Sequence, residues 1–225
     1  MTEYLPPPDP SRFPDLEEGH VRTVDVGVRV GRIYFAGGDF PTTWDGFRWF
    51  GPTNSRFDHY RQPAGVHADR AIMYLGAAIL DACGRPNNVL QTALVECFRD
   101  AGDIDLRHGL PHFVLFNPVR PLRLLDLTDS DWITAAGGNA AIPSGPRHSA
   151  RVWATAIYEH YTGADAVDGL IYGSSNKPAN RAIALWERGA DALPDRPVFH
   201  EPLSHLGLRA AIETFAGNVG LGVLT

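Results

Sequence analysis

The chain has 225 residues, 44% of them hydrophobic and 20% charged, which supplies one sizeable core and forces no second domain. A formal net charge of −6 argues against broad nucleic-acid binding, which needs a concentrated basic surface. The two cysteines, Cys83 and Cys97, lack the number and spacing of a disulfide framework or zinc site. No apolar run reaches the roughly 18 residues of a membrane span, and the start lacks the basic-then-apolar order of a signal peptide; the expected compartment is the cytoplasm.

Residues 1–22, with Pro6, Pro7, Pro8, Pro10 and Pro14 and no periodicity, predict an extended arm ahead of a domain spanning 23–225. Alternation from Val24 to Phe35 predicts a strand. Gly37 to Pro52 reads as an aromatic loop carrying Trp44, Phe47, Trp49 and Phe50, which belong to the core or an interface rather than a base-stacking platform. A short apolar strand follows at Ala71 to Leu75. Gln91 to Phe98 has helix-forming composition, with Leu90, Leu94, Val95 and Phe98 able to share one face. His112 to Asn117 and Arg123 to Leu127 predict two more strands. Gly145-Pro146 is a turn, and Ser149 to Tyr161 predicts an amphipathic helix capped by Ser149. Asp168 to Tyr172 and Ala182 to Glu187 predict paired strands around a polar turn, Ser174 to Asn180. Residues 201–216 predict one or two closing helices. Strands scattered among helices, without repeat or linker, indicate a single α+β domain.

Four islands hold the chemistry of interest: Gly31-Arg32-Ile33-Tyr34, Ser55-Arg56-Phe57, Thr92-Ala93-Leu94-Val95-Glu96 and Asp168-Gly169-Leu170-Ile171-Tyr172-Gly173-Ser174. Arg32 lies among apolar strand residues and needs a partner there, which either a carboxylate or a phosphate supplies. Arg56 follows the turn-rich Gly51-Pro52-Thr53-Asn54-Ser55, able to offer a guanidinium and backbone N–H groups to an anion. Glu96 sits in an apolar run and is expected to be partly buried, salt-bridged or poised for chemistry. Ser174 ends a strand, where either turn capping or function is at home. Other patterns fall away. In Ser174-Ser175-Asn176-Lys177 the Ser-x-x-Lys spacing of penicillin-recognising enzymes is followed by Pro178, with no Lys-Thr-Gly in the chain. His200-Glu201-Pro202-Leu203-Ser204-His205 is one residue too long for a helical His-Glu-x-x-His zinc motif.

The islands, joined by Ile72-Met73-Tyr74-Leu75, Pro121-Leu122-Arg123-Leu124-Leu125-Asp126-Leu127 and Ala182-Ile183-Ala184-Leu185-Trp186-Glu187-Arg188, resemble the RES domain in order across residues 28–190. Around the second arginine the chain reads Asn54-Ser55-Arg56-Phe57-Asp58, where many members have Gly-Gly-Arg-Trp-Asn. The resemblance implies an ADP-ribosyltransferase-like fold with mixed or antiparallel sheets and flanking helices. It also implies an enzyme that consumes NAD⁺ by phosphorolysis or hydrolysis, mostly as the toxin of a toxin–antitoxin pair. Carried over by motif, Glu96, Arg32 and Ser174 would be catalytic; Arg32, Arg56, Tyr74, Ser174 and the adjacent Ser175 would bind NAD⁺. NAD⁺ would be substrate, with inorganic phosphate as a candidate co-substrate, and no metal or further cofactor is implied. The partners implied are NAD⁺ and a cognate antitoxin, with a homo-oligomer allowed and neither nucleic acid nor membrane. A protein ADP-ribosyltransferase and a non-catalytic nucleotide-binding module are the alternatives.

Overall fold

The computed structural model describes residues 5–80, 84–174, 177 and 179–225. In chain order its elements are β1 (Val21–Val24), β2 (Val30–Phe35), β3 (Phe50–Gly51), β4 (Gly65–Val66), β5 (Ile72–Ala77), α1 (Val89–Phe98), β6 (Asp103–Asp105), β7 (Pro111–Phe116), β8 (Leu122–Asp126), α2 (Trp132–Ala135), α3 (Ala141–Ser144), α4 (Arg147–His160), β9 (Gly169–Gly173), β10 (Arg181–Trp186), β11 (Phe199–Pro202), α5 (Leu206–Val219) and β12 (Gly222–Leu224). They make a single α+β domain around an eight-stranded mixed sheet ordered β1-β8-β9-β10-β5-β2-β7-β11. Its neighbours run antiparallel except β8 and β9, whose parallel pairing is bridged by α2, α3 and α4. Among the described residues no helix is long and apolar enough to cross a membrane.

The sheet splits between β5 and β2. Those strands share only two register pairs, Val30↔Ala77 and Gly31↔Gly76, whereas on their other edges β5 pairs with β10 over six residues and β2 with β7 over six. Glycine at the apex has a steric cause. A side chain at Gly76 would stand 3.0 Å from Thr92 Cβ of α1, and one at Gly31 would meet Val114 O and Leu115. The bare backbone lets α1 lie directly over the fork.

Alternating strand residues feed three cores. On one face, Tyr172, Ala182, Ala184 and Trp186 pack against Trp153, Ala154 and Ile157 of α4. On the same face beyond the fork, Phe113, with Ile33 and Phe35, packs under α1 and α5 through Leu94, Phe98, Leu208 and Ile212. The opposite face is continuous across the fork, joining Val30, Tyr34 and Val114 to Met73, Leu75 and Ile183, with Trp44 and Phe47 laid on it.

Several sequence expectations change. The strand predicted from Val24 to Phe35 is two strands at distant places in the sheet, separated by a turn in which Val28 N–H donates to Asp25 O at 2.9 Å. The proline-rich arm packs on the α4 core through Leu5 and Phe13, receives bonds from Trp153 Nε1 at Pro6 O and Tyr161 OH at Pro14 O, and continues into edge strand β1, within which residue 22 falls. Ser149 is not a cap: α4 begins at Arg147 after Pro146, which makes no side-chain cap bond. Part of the closing segment is strand β11, and α5 starts at Leu206 with His205 as its cap, because Pro202 cannot donate inside a helix.

Candidate functional site

A cavity of about 600 Å³ opens where the sheet divides, a size ordinary for a small-molecule site. Tyr74, Gly76, Tyr172 and Ala182 belong to its strands, and Thr92, Ala93, Glu96 and Cys97 to the α1 wall. Arg32, the loop Thr53 to Arg56, and Arg147 supply much of its polar lining. Thus four residues singled out in the sequence, Arg32, Arg56, Tyr74 and Glu96, stand around one space.

Arg32 is 92% buried, yet its Nη2 donates to a backbone carbonyl, Thr43 O, at 2.6 Å, and no carboxylate among the described residues pairs with it. Its Nε has no partner at all. Burial pushes the guanidinium down to about 10, against the upward pull of Tyr34 and Asp45, so it stays charged at neutral pH. A buried cation left this open is suited to an incoming anion.

Arg56 is held from three directions. Its Nη1 donates to Gly145 O; Phe57, the next residue, is buried with its ring 4.5 Å from that of Tyr172; and Phe57 N–H donates to Tyr74 OH at 3.1 Å. Tyr74 therefore fixes the arginine loop in addition to lining the cavity. The loop's hub is Asp58, fully buried, which accepts from Arg48 Nη2, from Thr53 N–H at 2.6 Å and Oγ1 at 2.8 Å, and from Tyr74 OH at 3.3 Å. This bonding supplies order to a loop lacking the paired glycines of the RES pattern. Burial lowers the pKa of Arg56, and neighbouring Arg147 lowers it further, while Tyr172, Glu96 and Tyr74 pull it up.

Glu96 is not buried in the apolar core. The cavity-lining positions 92, 93, 96, 97 and 100 form a stripe along α1 and its end, and solvent in the cleft reaches Glu96. The cleft walls nonetheless raise its pKa by desolvation, against the lowering pull of Ser174, Arg56 and Arg147. Among the described residues it makes no salt bridge to arginine; Ser174 Oγ donates to Glu96 Oε1 at 2.5 Å.

Ser174 itself is buried and stands behind Glu96 rather than among the residues lining the cavity. Its Oγ also accepts Lys177 N–H at 3.1 Å. The turn is fastened to α1 twice more, by Asn180 Nδ2 to Thr92 Oγ1 at 2.7 Å and by Lys177 Nζ to Gln91 Oε1 at 2.6 Å. Glu96 is thereby held by a turn from the far side of the fork. Ser175 lies outside the described residues.

Sequence reading missed Asp58, Asp100 and Arg147. Asp58 is two residues beyond Arg56 in a polar loop, and Arg147 follows the Gly145-Pro146 turn; neither carried a spacing that set it apart. Cys97 lines the cavity, but burial pushes its thiol up to about 12, leaving a poor nucleophile at neutral pH. Among the described residues no group of three His, Cys, Asp or Glu side chains could hold a metal ion.

No protein-family model, curated protein or solved structure matches the chain.

Proposed function

We propose that this chain binds NAD⁺ in the forked-sheet cleft and cleaves its nicotinamide–ribose bond. The observation that carries the reading is the placement of Glu96, fastened by Ser174, in one cavity with two arginines that pair with no carboxylate among the described residues. The ordered motifs resembling the RES domain, and with it an ADP-ribosyltransferase-like fold, support the same ligand.

In this reading Arg32 and Arg56, which both line the cavity, take the diphosphate. Breaking the bond from ribose C1′ to the nicotinamide nitrogen sends the bonding pair to nitrogen, so nicotinamide leaves neutral and needs no strong acid. Positive charge develops at C1′ and the ring oxygen. The Glu96 carboxylate stabilises that charge or holds a ribose hydroxyl. Water or inorganic phosphate then bonds to C1′ and gives up a proton to solvent. Ser174 aims Glu96, and Tyr74 secures the loop that carries Arg56. Biologically, the reading makes the chain the toxin of a cytoplasmic toxin–antitoxin pair whose antitoxin occludes the cleft.

The test is release of nicotinamide from NAD⁺ by the purified chain, with and without phosphate. Phosphate-dependent release selects phosphorolysis, release without phosphate selects hydrolysis, and label transfer from NAD⁺ to protein selects a protein ADP-ribosyltransferase. Nucleotide binding without turnover under any of these conditions points to a binding module instead. Glu96→Gln is expected to lower turnover by about a hundredfold or more; undiminished turnover would remove Glu96 from the chemistry.

A further inference from the structure

Two guanidinium groups suffice for a diphosphate, yet a third, Arg147, lines the same cleft. It opens α4, two residues after the Gly145 carbonyl that accepts Arg56 Nη1, which places the two arginines on bonded, adjoining segments. Across the opening, Arg147 Nη2 donates to Asp100 Oδ2 at 2.6 Å. Asp100 follows α1 and also lines the cavity, so this ion pair ties the α1 wall to the α4 wall.

The pair is exposed at both ends, with side-chain exposures of 41% for Arg147 and 72% for Asp100. Water competes for both groups, and such pairs shift equilibria by no more than about fivefold. A ligand anion held against Arg147 on the cavity side would meet less water and bind it more firmly. Asp100 is therefore a weak occupant of a cation that faces the site.

We propose that Arg147 is a third anion contact of the cleft and that Asp100 sets ligand affinity by competing for it, the carboxylate giving way as an anionic ligand enters. This rests on the nucleotide reading above for the identity of the anion as a diphosphate; the competition itself requires only an anion. The exchange would also alter the charge around Glu96, whose pKa Arg147 lowers and Asp100 raises.

The test is a double-mutant cycle on the full chain, with affinities for ADP-ribose and for inorganic pyrophosphate measured by calorimetry in wild type, Asp100→Asn, Arg147→Ala and the double variant. Asp100→Asn is expected to tighten binding by about twofold to fivefold. Arg147→Ala is expected to weaken it by about tenfold or more. In the Arg147→Ala background the Asp100→Asn effect should shrink below about 1.5-fold. If the tightening persists there, Asp100 acts by plain charge repulsion and the competition is refuted. An Arg147→Ala chain that binds as wild type does, with its thermal midpoint unchanged, refutes the third contact. Pyrophosphate binding that shows the coupling, without ADP-ribose binding, keeps the contact and sinks the nucleotide reading. Binding of neither ligand overturns both.

Discussion

Arg70 and Arg32 are each more than nine-tenths buried, and the molecule treats them in opposite ways. Arg70 gives Nη1 to His59 O at 2.8 Å and Nη2 to Glu159 Oε1 at 2.8 Å, reaches Asp69 at 3.4 Å, and lies 5.0 Å from the centre of the Tyr158 ring. Arg120 is clasped in the same spirit, both Nη atoms on Asp168 and Nε on Asp191, which raises its pKa. Arg32 has one carbonyl and an idle Nε. Arg70 and Arg120 are saturated by the fold's own acceptors. Arg32, which also lines the cavity, keeps a donor that the fold does not use.

The sharpest way to break this comparison is to remove each guanidinium in turn. Arg70→Met strands the buried His59 carbonyl, while Glu159 keeps Arg61, and should cost about 2–3 kcal/mol in urea unfolding. Arg32→Met should leave stability within about 0.5 kcal/mol of wild type or raise it, while weakening ADP-ribose binding. Equal losses from both would make Arg32 a structural residue.

A smaller effect sharpens the same contrast within the site. Asp58→Asn keeps one acceptor but loses the charge facing Arg48 and Thr53, and should cost about 1–2 kcal/mol together with ligand affinity, because the Arg56 loop slackens. Stability lost with affinity unchanged would detach Asp58 from the site.

The smallest effect is a matter of sign. The folded pKa of Glu96 lies above its ordinary value, so its contribution to stability is complete below the unfolded value and lost as pH rises through the folded one. Glu96→Gln should therefore raise the thermal midpoint at pH 8, with the gain fading toward pH 4. A gain that grows on acidification contradicts the desolvated setting given to Glu96. Ser174→Ala, which deletes a bond favouring the carboxylate, should move the acid limb of any NAD⁺-cleaving activity to higher pH. A limb that stays in place would leave Ser174 a purely structural residue.

What the sequence made legible is what short-range pattern encodes. The β9–β10 pair, strands β5, β7 and β8, and the body of α1 follow from alternation and helical spacing, and Arg32, Arg56, Tyr74 and Glu96 stood out as polar groups on apolar or turn-rich segments. The fork was not legible, because it depends on which partner each strand keeps beyond Gly31 and Gly76. Arg147 and Asp58 were hidden for a related reason: their partners Asp100 and Tyr74 lie 47 and 16 residues away in the chain. Val24 to Phe35 misled because its alternation continues through the Asp25 to Val28 turn, and alternation is blind to a reversal that preserves it.

The two-pair junction at the fork also bears on motion. One sheet face carries a continuous core across the junction, while the other holds two separate cores with the cleft between them. That geometry is a book with an apolar spine, clipped at one end where Ser174, Lys177 and Asn180 reach α1. Each leaf has a core of its own on that face, so amide hydrogens of β2 and α1 should exchange with solvent on a different schedule from those of β9 and β10. A ligand gripping Arg32 on one leaf and Arg56 on the other would bind the pages together, and the two schedules should converge.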